Sequence, residues 1–272
     1  MSTEEFTEAA TVLAEEELPL PSTSLRDWLL LPFFLLGFLL ILVVFDVWQR
    51  IAFARGRSFH ERAVVQLNRA LQGLLEVFGA KIELRNFAEL TPGRPYVIVS
   101  NHQSLFDIPI LHSVFADHFP RFISKKELAR WIPSVSYNLQ HGENAIIDRA
   151  NAQQAIDQIG KLGSLLMKRG FAVVIFPEGT RARRGKLKQF RYAGFATLIQ
   201  SAPLAQVVPV TIDGSWKLSA HKHLPIPLRT KVTVVVGAPI DHEQHGSLKE
   251  MMTALHYTIE QTLERLRGEP KA

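Results

Sequence analysis

Two short polar segments hold the residues best able to do chemistry. Asn101-His102-Gln103-Ser104-Leu105-Phe106-Asp107 follows the apolar run Tyr96-Val97-Ile98-Val99, and Phe176-Pro177-Glu178-Gly179-Thr180-Arg181 follows Phe171-Ala172-Val173-Val174-Ile175. Each sits where a buried strand would end, and in open α/β sheets binding sites form outside the carboxyl ends of strands. The His102 imidazole can take a proton from a hydroxyl near neutral pH, the ordinary histidine pKa being about 6.5. Asp107 would accept a hydrogen bond from the other ring nitrogen, fixing the tautomer and stabilising the imidazolium. That spacing works if His102 lies just before a helix and Asp107 in its first turns. Arg181 offers a planar fork suited to phosphate, beside Gly179, whose missing side chain allows close backbone approach. Glu178 is expected to orient Arg181 or a nearby backbone amide. A base facing an anion-binding turn fits acyl transfer onto a phosphate-bearing alcohol.

Spacing alone does not single out His102. The chain has ten histidines, and His112-Ser113-Val114-Phe115-Ala116-Asp117 repeats the His-x4-Asp pattern. His112, however, falls within the helical periodicity of Ile108, Ile110, Leu111, Val114 and Phe115, with no strand end before it. It reads as a packed helix residue. Arg183, Arg184, Lys186 and Lys188, downstream of Arg181, read as a solvated loop.

At these residues the chain resembles the glycerolipid acyltransferase family, most closely its 1-acyl-sn-glycerol-3-phosphate acyltransferases. The first block of the family matches Asn101-His102 through Asp107. The second matches Lys125-Lys126-Glu127-Leu128, Pro133 and Ile146-Ile147-Asp148-Arg149. Phe176 through Arg181 match the third block, and Val208-Pro209-Val210-Thr211-Ile212 resemble the fourth. The blocks occur in the family's order, over roughly residues 70–240. The chain departs from the family at Ser136, where glycine is common, and by one extra residue within Phe190-Arg191-Tyr192-Ala193-Gly194. The resemblance implies that His102 activates an acceptor hydroxyl without an acyl-enzyme. It also implies that Lys125 and Arg149 join Arg181 on the acceptor's phosphate, with Gly179 and Thr180 in the same binding turn. Pro209 would shape the wall of the acyl-donor site. The expected reaction moves a fatty acyl group from acyl-CoA or acyl carrier protein to lysophosphatidic acid. Glycerol-3-phosphate, a larger lysophospholipid or a lyso-aminolipid are the alternative acceptors. No bound cofactor or metal is expected.

The elements that must position these residues alternate. Strands are predicted at Tyr96–Ser100, Arg121–Ser124, Ala145–Asp148, Phe171–Phe176, Gln206–Ile212 and Lys231–Gly237, and helices near 105–117, 151–169 and 190–200. Asn151 caps the second helix and Gly170 stops it. The fold class is therefore α/β, a mixed, largely buried sheet flanked by helices, with a membrane-embedded helix at the N-terminus. Five segments are expected: an acidic, disordered tail over 1–27, a membrane helix over 28–47, and a basic, amphipathic linker helix region over 48–94. A catalytic domain over 95–240 and a C-terminal helix over 241–272, packing on it, complete the chain.

Composition supports this division. Trp28 to Phe45 carries no charge, and its 18 residues would span about 27 Å, near the thickness of a bilayer's hydrocarbon. Seven acids against Arg26 give residues 1–27 a net charge of −6, so the remainder is +11 of the total +5. Arg50, Arg55, Arg57, Arg62 and Arg69 follow the apolar run, which by the positive-inside rule places the catalytic domain in the cytoplasm. Zero cysteines exclude disulfides and thiolate nucleophiles. Gly-x-Ser-x-Gly, P-loop and Gly-x-Gly-x-x-Gly patterns are absent, which argues against serine hydrolase and nucleotide chemistry. The histidines His221, His223, His242 and His245 miss the spacing of a zinc motif. The expected partners are a lipid substrate and a membrane, with acyl carrier protein as a further candidate and no nucleic acid. The non-enzymatic alternative is a basic, tethered module that binds anionic lipid.

Overall fold

The structure is a computed structural model that describes residues 18–85, 88–220, 226–227, 229–242 and 246–268. Its frame is a seven-stranded mixed sheet. The strands are β1 (Lys81–Arg85), β2 (Tyr96–Ser100), β3 (Arg121–Lys125), β4 (Ala145–Ile147), β5 (Ala172–Ile175), β6 (Gln206–Asp213) and β7 (Lys231–Val236). Their spatial order is β1-β7-β6-β2-β5-β3-β4. Strands β6, β2, β5, β3 and β4 run parallel, and β7 is antiparallel to β6. The carboxyl ends of β2, β5, β3 and β4 therefore share one edge of the sheet.

The apolar runs of β2 and β5 form strands because both faces are covered. Tyr96 and Ile98 point into one core, with Val174, Val210 and Val234. Val97 and Val99 point into the other, with Val173, Ile175 and Val207. Helices α1 (Leu25–Arg55), α2 (Arg57–Val77) and α3 (Asp107–Val114) cover the first face through Phe34, Leu75, Phe106, Ile110 and Leu111. Helix α4 (Val135–His141) follows β3. Helices α5 (Ala152–Arg169), α6 (Tyr192–Ser201) and α7 (Leu248–Gly268) cover the second face through Leu162, Leu166, Phe195, Leu198, Leu255 and Ile259. The expected cap and stop of α5 are present. Asn151 accepts from the Gln154 amide, and Gly170 ends the helix at φ 63°.

Several boundaries differ from the sequence expectation. Helix α1 begins at Leu25, three residues inside the segment expected to be a tail. Ser24 and Asp27 form a capping box, each side chain bonding to the other's backbone amide, and this fixes the start. Residues 1–17 of that segment lie outside the described residues. The region 48–94 is also more than a linker helix. It contributes β1, whose Ile82 and Leu84 alternate with charged residues beside β7. Its helix α2 docks through Val64, Leu67, Leu71 and Leu75. Glu61 on α2 bonds to Arg121 and, at 3.0 Å, to Arg169, pinning the helix to β3 and α5. Helix α4 was not expected at all. Of the imagined zinc histidines, His221, His223 and His245 lie outside the described residues.

Helix α1 is long and apolar enough to cross a membrane by length and composition. One side of it is nonetheless occupied by protein. Phe34 meets the rings of Phe78 and Phe106, and Leu42 is buried with Leu67 and Leu71. The Gln49 side chain donates to the Ser134 carbonyl at 3.4 Å. The opposite side, with Leu36, Leu40, Val43 and Val47, is exposed, which supports membrane association.

Candidate active site

The chain leaves β2 at Asn101, whose side chain imitates a strand partner. Its amide donates to the Ile212 carbonyl at 2.8 Å, and its oxygen accepts from the Ile212 amide at 2.7 Å. This ties the turn to β6 and delivers His102 at the strand end. Asp107 opens α3, where a carboxylate is favoured by the helix dipole. Its Oδ2 sits 2.8 Å from His102 Nδ1 and accepts from the amides of Gln103 at 2.6 Å and Ser104 at 2.9 Å. Its Oδ1 accepts from the Ser215 hydroxyl at 2.5 Å. Asp107 is fully buried, yet both its oxygens are satisfied. The imidazole is thus held as the Nδ1–H tautomer. Its plane stacks on Phe176, with ring centroids 4.1 Å apart. His102 lines a cavity of about 1480 Å³, toward which Nε2 is the nitrogen left to act.

The turn after β5 is bonded directly to the His102 turn. Glu178, 2% exposed, accepts from the His102 amide at 2.7 Å and from the Lys188 amide at 3.0 Å. The His102 carbonyl in turn accepts from the Ala182 amide. Of the two roles expected for Glu178, it takes the backbone one and not the orientation of Arg181. Burial pushes the Glu178 carboxyl up to about 7 from its ordinary 4.5, against the two N–H bonds that favour the carboxylate. Between those values the folded protein keeps a proton that the unfolded chain has released. Stability should therefore fall as pH rises through this window, by up to about 1.4 kcal/mol per unit. In Glu178→Gln that contribution is absent. The wild type's melting temperature relative to the variant should be lower near pH 7 than near pH 5, and a constant difference would contradict the assignment.

Gly179 has φ 70°, and a Cβ there would stand 3.0 Å from Arg191 Nε. The close approach that its missing side chain permits is made by this arginine. Lys188 is not a free loop charge either. Its ammonium donates to the Thr180 hydroxyl and the Arg181 carbonyl, both at 2.9 Å, and so cross-braces the turn. Arg181, Arg149 and Arg191 line the same cavity as His102, and Lys125 joins them from the end of β3. None of these four forms an ion pair among the described residues. Burial, with Arg191 and Arg181 nearby, holds the Arg149 guanidinium below its ordinary value, and burial with Arg183 does the same for Arg181. Such crowding of cations, only partly offset by Glu127 near Arg149 and Asp107 near Arg181, favours an anion. The same cavity is also lined by apolar side chains, among them Phe38, Leu42, Leu67, Leu71 and Leu105.

His102, Asp107, Lys125, Arg149, Glu178, Gly179, Thr180 and Arg181 are therefore brought together. Pro209 is not. It lies buried within β6, opposite Val99, and a Cβ on Gly237 would stand 2.8 Å from its ring. Its missing N–H falls between the β7 ladder and the Val207–Ile240 bridge, a gap of the kind that tolerates proline within a sheet. It is absent from the cavity lining. Sequence reasoning missed Arg191 and Ser215. The Gly214-Ser215 pair, one residue beyond the fourth block, was a signal for Ser215, but its contact with Asp107 is made across 108 residues.

A His–carboxylate pair at one strand end, bonded to an arginine-bearing turn at the next, defines an acyltransferase-type site. Residues 81–213 match the model of the acyltransferase family. The chain is 29% identical over 177 residues to the 1-acyl-sn-glycerol-3-phosphate acyltransferase alpha of Ovis aries, covering 65% of this chain and 59% of that protein. It is 33% identical over 132 residues to the human beta protein of the same name, covering 48% and 47%. The chain thus spans less than two thirds of these relatives' length. Its fold matches the crystal structure of the 1-acyl-sn-glycerophosphate acyltransferase PlsC from Thermotoga maritima with a TM-score of 0.70. That match is at 22% identity and covers 91% of this chain and 98% of that one.

Proposed function

We propose that the protein transfers a fatty acyl group from a thioester to the free hydroxyl of lysophosphatidic acid, giving phosphatidic acid. The observation that carries this is the shared cavity. Asp107-supported His102 and the cluster of Arg181, Arg149, Arg191 and Lys125 face one space that apolar side chains also line. The names of the curated relatives point the same way. The acceptor's phosphate would sit on the arginines and place its hydroxyl at His102 Nε2. As the hydroxyl oxygen attacks the thioester carbonyl, Nε2 takes its proton, and Asp107 stabilises the imidazolium. The tetrahedral intermediate collapses by breaking the carbon–sulfur bond, and the departing sulfur receives the proton back. Acyl-CoA or acyl carrier protein would supply the thioester. The arginines that follow α1 favour a catalytic domain facing the cytoplasm.

The test is an acceptor panel on purified, detergent-solubilised protein with labelled acyl-CoA. Lysophosphatidic acid should be acylated fastest, ahead of glycerol-3-phosphate, lysophospholipids with larger headgroups and a lyso-aminolipid. Preference for an acceptor without a phosphomonoester would redirect the assignment, and no acylated product at all would favour a lipid-binding module.

A further inference from the structure

We propose that the loop from Leu128 to Ser134 is a second lipid-contacting element, which inserts Trp131 into the bilayer interface beside α1. Trp131 is 95% exposed, although burying an indole is worth more than burying most side chains. Its backbone is at φ 68°, and that of Ser134 at φ 66°. Bulky residues avoid this region, and such strain persists only where the surroundings over-determine it. Here they do. Ser136, the departure from the family's glycine, accepts from the Ile132 amide at 2.9 Å and donates to the Leu128 carbonyl at 3.1 Å, so its hydroxyl brackets Trp131 on both sides. Gln140 donates to the Ala129 carbonyl at 2.7 Å. The loop is built to hold an indole outward.

Its position indicates what covers that indole. The Ser134 amide donates to Asp46 of α1 at 2.7 Å, and Gln49 of α1 donates to the Ser134 hydroxyl. Ile132 packs against the cluster of Leu42, Leu67 and Leu71. The loop that carries Trp131 is therefore fastened to the helix whose outer side, through Leu36, Leu40, Val43 and Val47, is exposed and apolar. Leu128, also exposed, and Arg130 flank it. A tryptophan beside a basic residue at the margin of an apolar surface is the composition of a membrane-interface anchor. Leu128 and Ile132 also line the cavity, so the anchored loop would hold the cavity's apolar part against lipid. The inference rests on membrane association and does not require acyl transfer.

Fluorescence tests it without an activity assay. The full chain with Trp28→Phe and Trp48→Phe retains Trp131 and the buried Trp216 as emitters. It is bound to vesicles of phosphatidylcholine and phosphatidylglycerol whose acyl chains are brominated. The lipid should quench a large part of the emission, and adding Trp131→Gly should abolish that quenching. Glycine adopts φ 68° freely, so this variant should melt no lower than its parent, which separates lipid contact from a structural role. Emission from Trp131 that is quenched by aqueous iodide and untouched by brominated lipid would overturn the proposal. So would lipid quenching that survives Trp131→Gly.

Discussion

Replacing His102 with alanine is expected to leave a folded, membrane-associated protein whose acyl transfer falls by about 10²- to 10⁴-fold, the usual cost of removing a general base. His112 provides the control, because it has the same spacing to an aspartate and lines the same cavity. It lacks the other attributes. His112 is buried against Phe122, with ring centroids 5.9 Å apart, and its Nδ1 has no hydrogen-bond partner among the described residues. Burial pushes its pKa down to about 3. A ring that stays neutral without a carboxylate partner has no support for an imidazolium. His112→Gln should therefore keep most activity, with at most a modest loss of stability. The measurement is the initial rate at saturating donor and acceptor, alongside a melting curve for each variant. Substantial activity in folded His102→Ala, or inactivity in well-folded His112→Gln, would show that the wrong histidine was assigned.

Arg181→Ala should act on the acceptor. Loss of a charge-assisted contact to phosphate typically costs about 1.5–3 kcal/mol, or roughly 10- to 150-fold. The change should appear mainly as a raised KM for the acceptor, with the donor's KM moving less. Arg183→Ala should have a much smaller effect. Arg183 is exposed at the cavity edge, whereas Arg181 is partly buried on the turn that Lys188 and Glu178 brace. Equal losses from the two substitutions, measured by titrating each substrate against the other, would indicate a diffuse basic patch.

What could be read from the sequence was local. The buried strands announce themselves as unbroken apolar runs, because a strand covered on both faces needs no polar alternation. His102 and Asp107 are five residues apart, so strand end, turn and helix start suffice to suggest that they meet. Longer-range features escaped. Arg191 passes close over Gly179 to reach the site, and Ser215 meets Asp107 only once β6 lies beside β2. Pro209 differs in the other direction. Its place in a conspicuous block implied a role at the donor site, whereas it occupies a gap in the ladder. β1 was overlooked because five alternating residues at a sheet edge carry little signal. The capping box at Ser24 and Asp27 was legible but was passed over among the acids around it.

The central claim is direct transfer, in which His102 draws the proton from an acceptor held by the arginines and the acyl group never rests on the protein. It is tested most directly by mixing purified full-length protein with labelled acyl-CoA, first without and then with lysophosphatidic acid. The expected result is no label on the denatured protein in the first case and labelled phosphatidic acid in the second, with initial-rate patterns that intersect. Stoichiometric acyl-protein with ping-pong kinetics, or no diacyl product when the acceptor is added, would contradict the account.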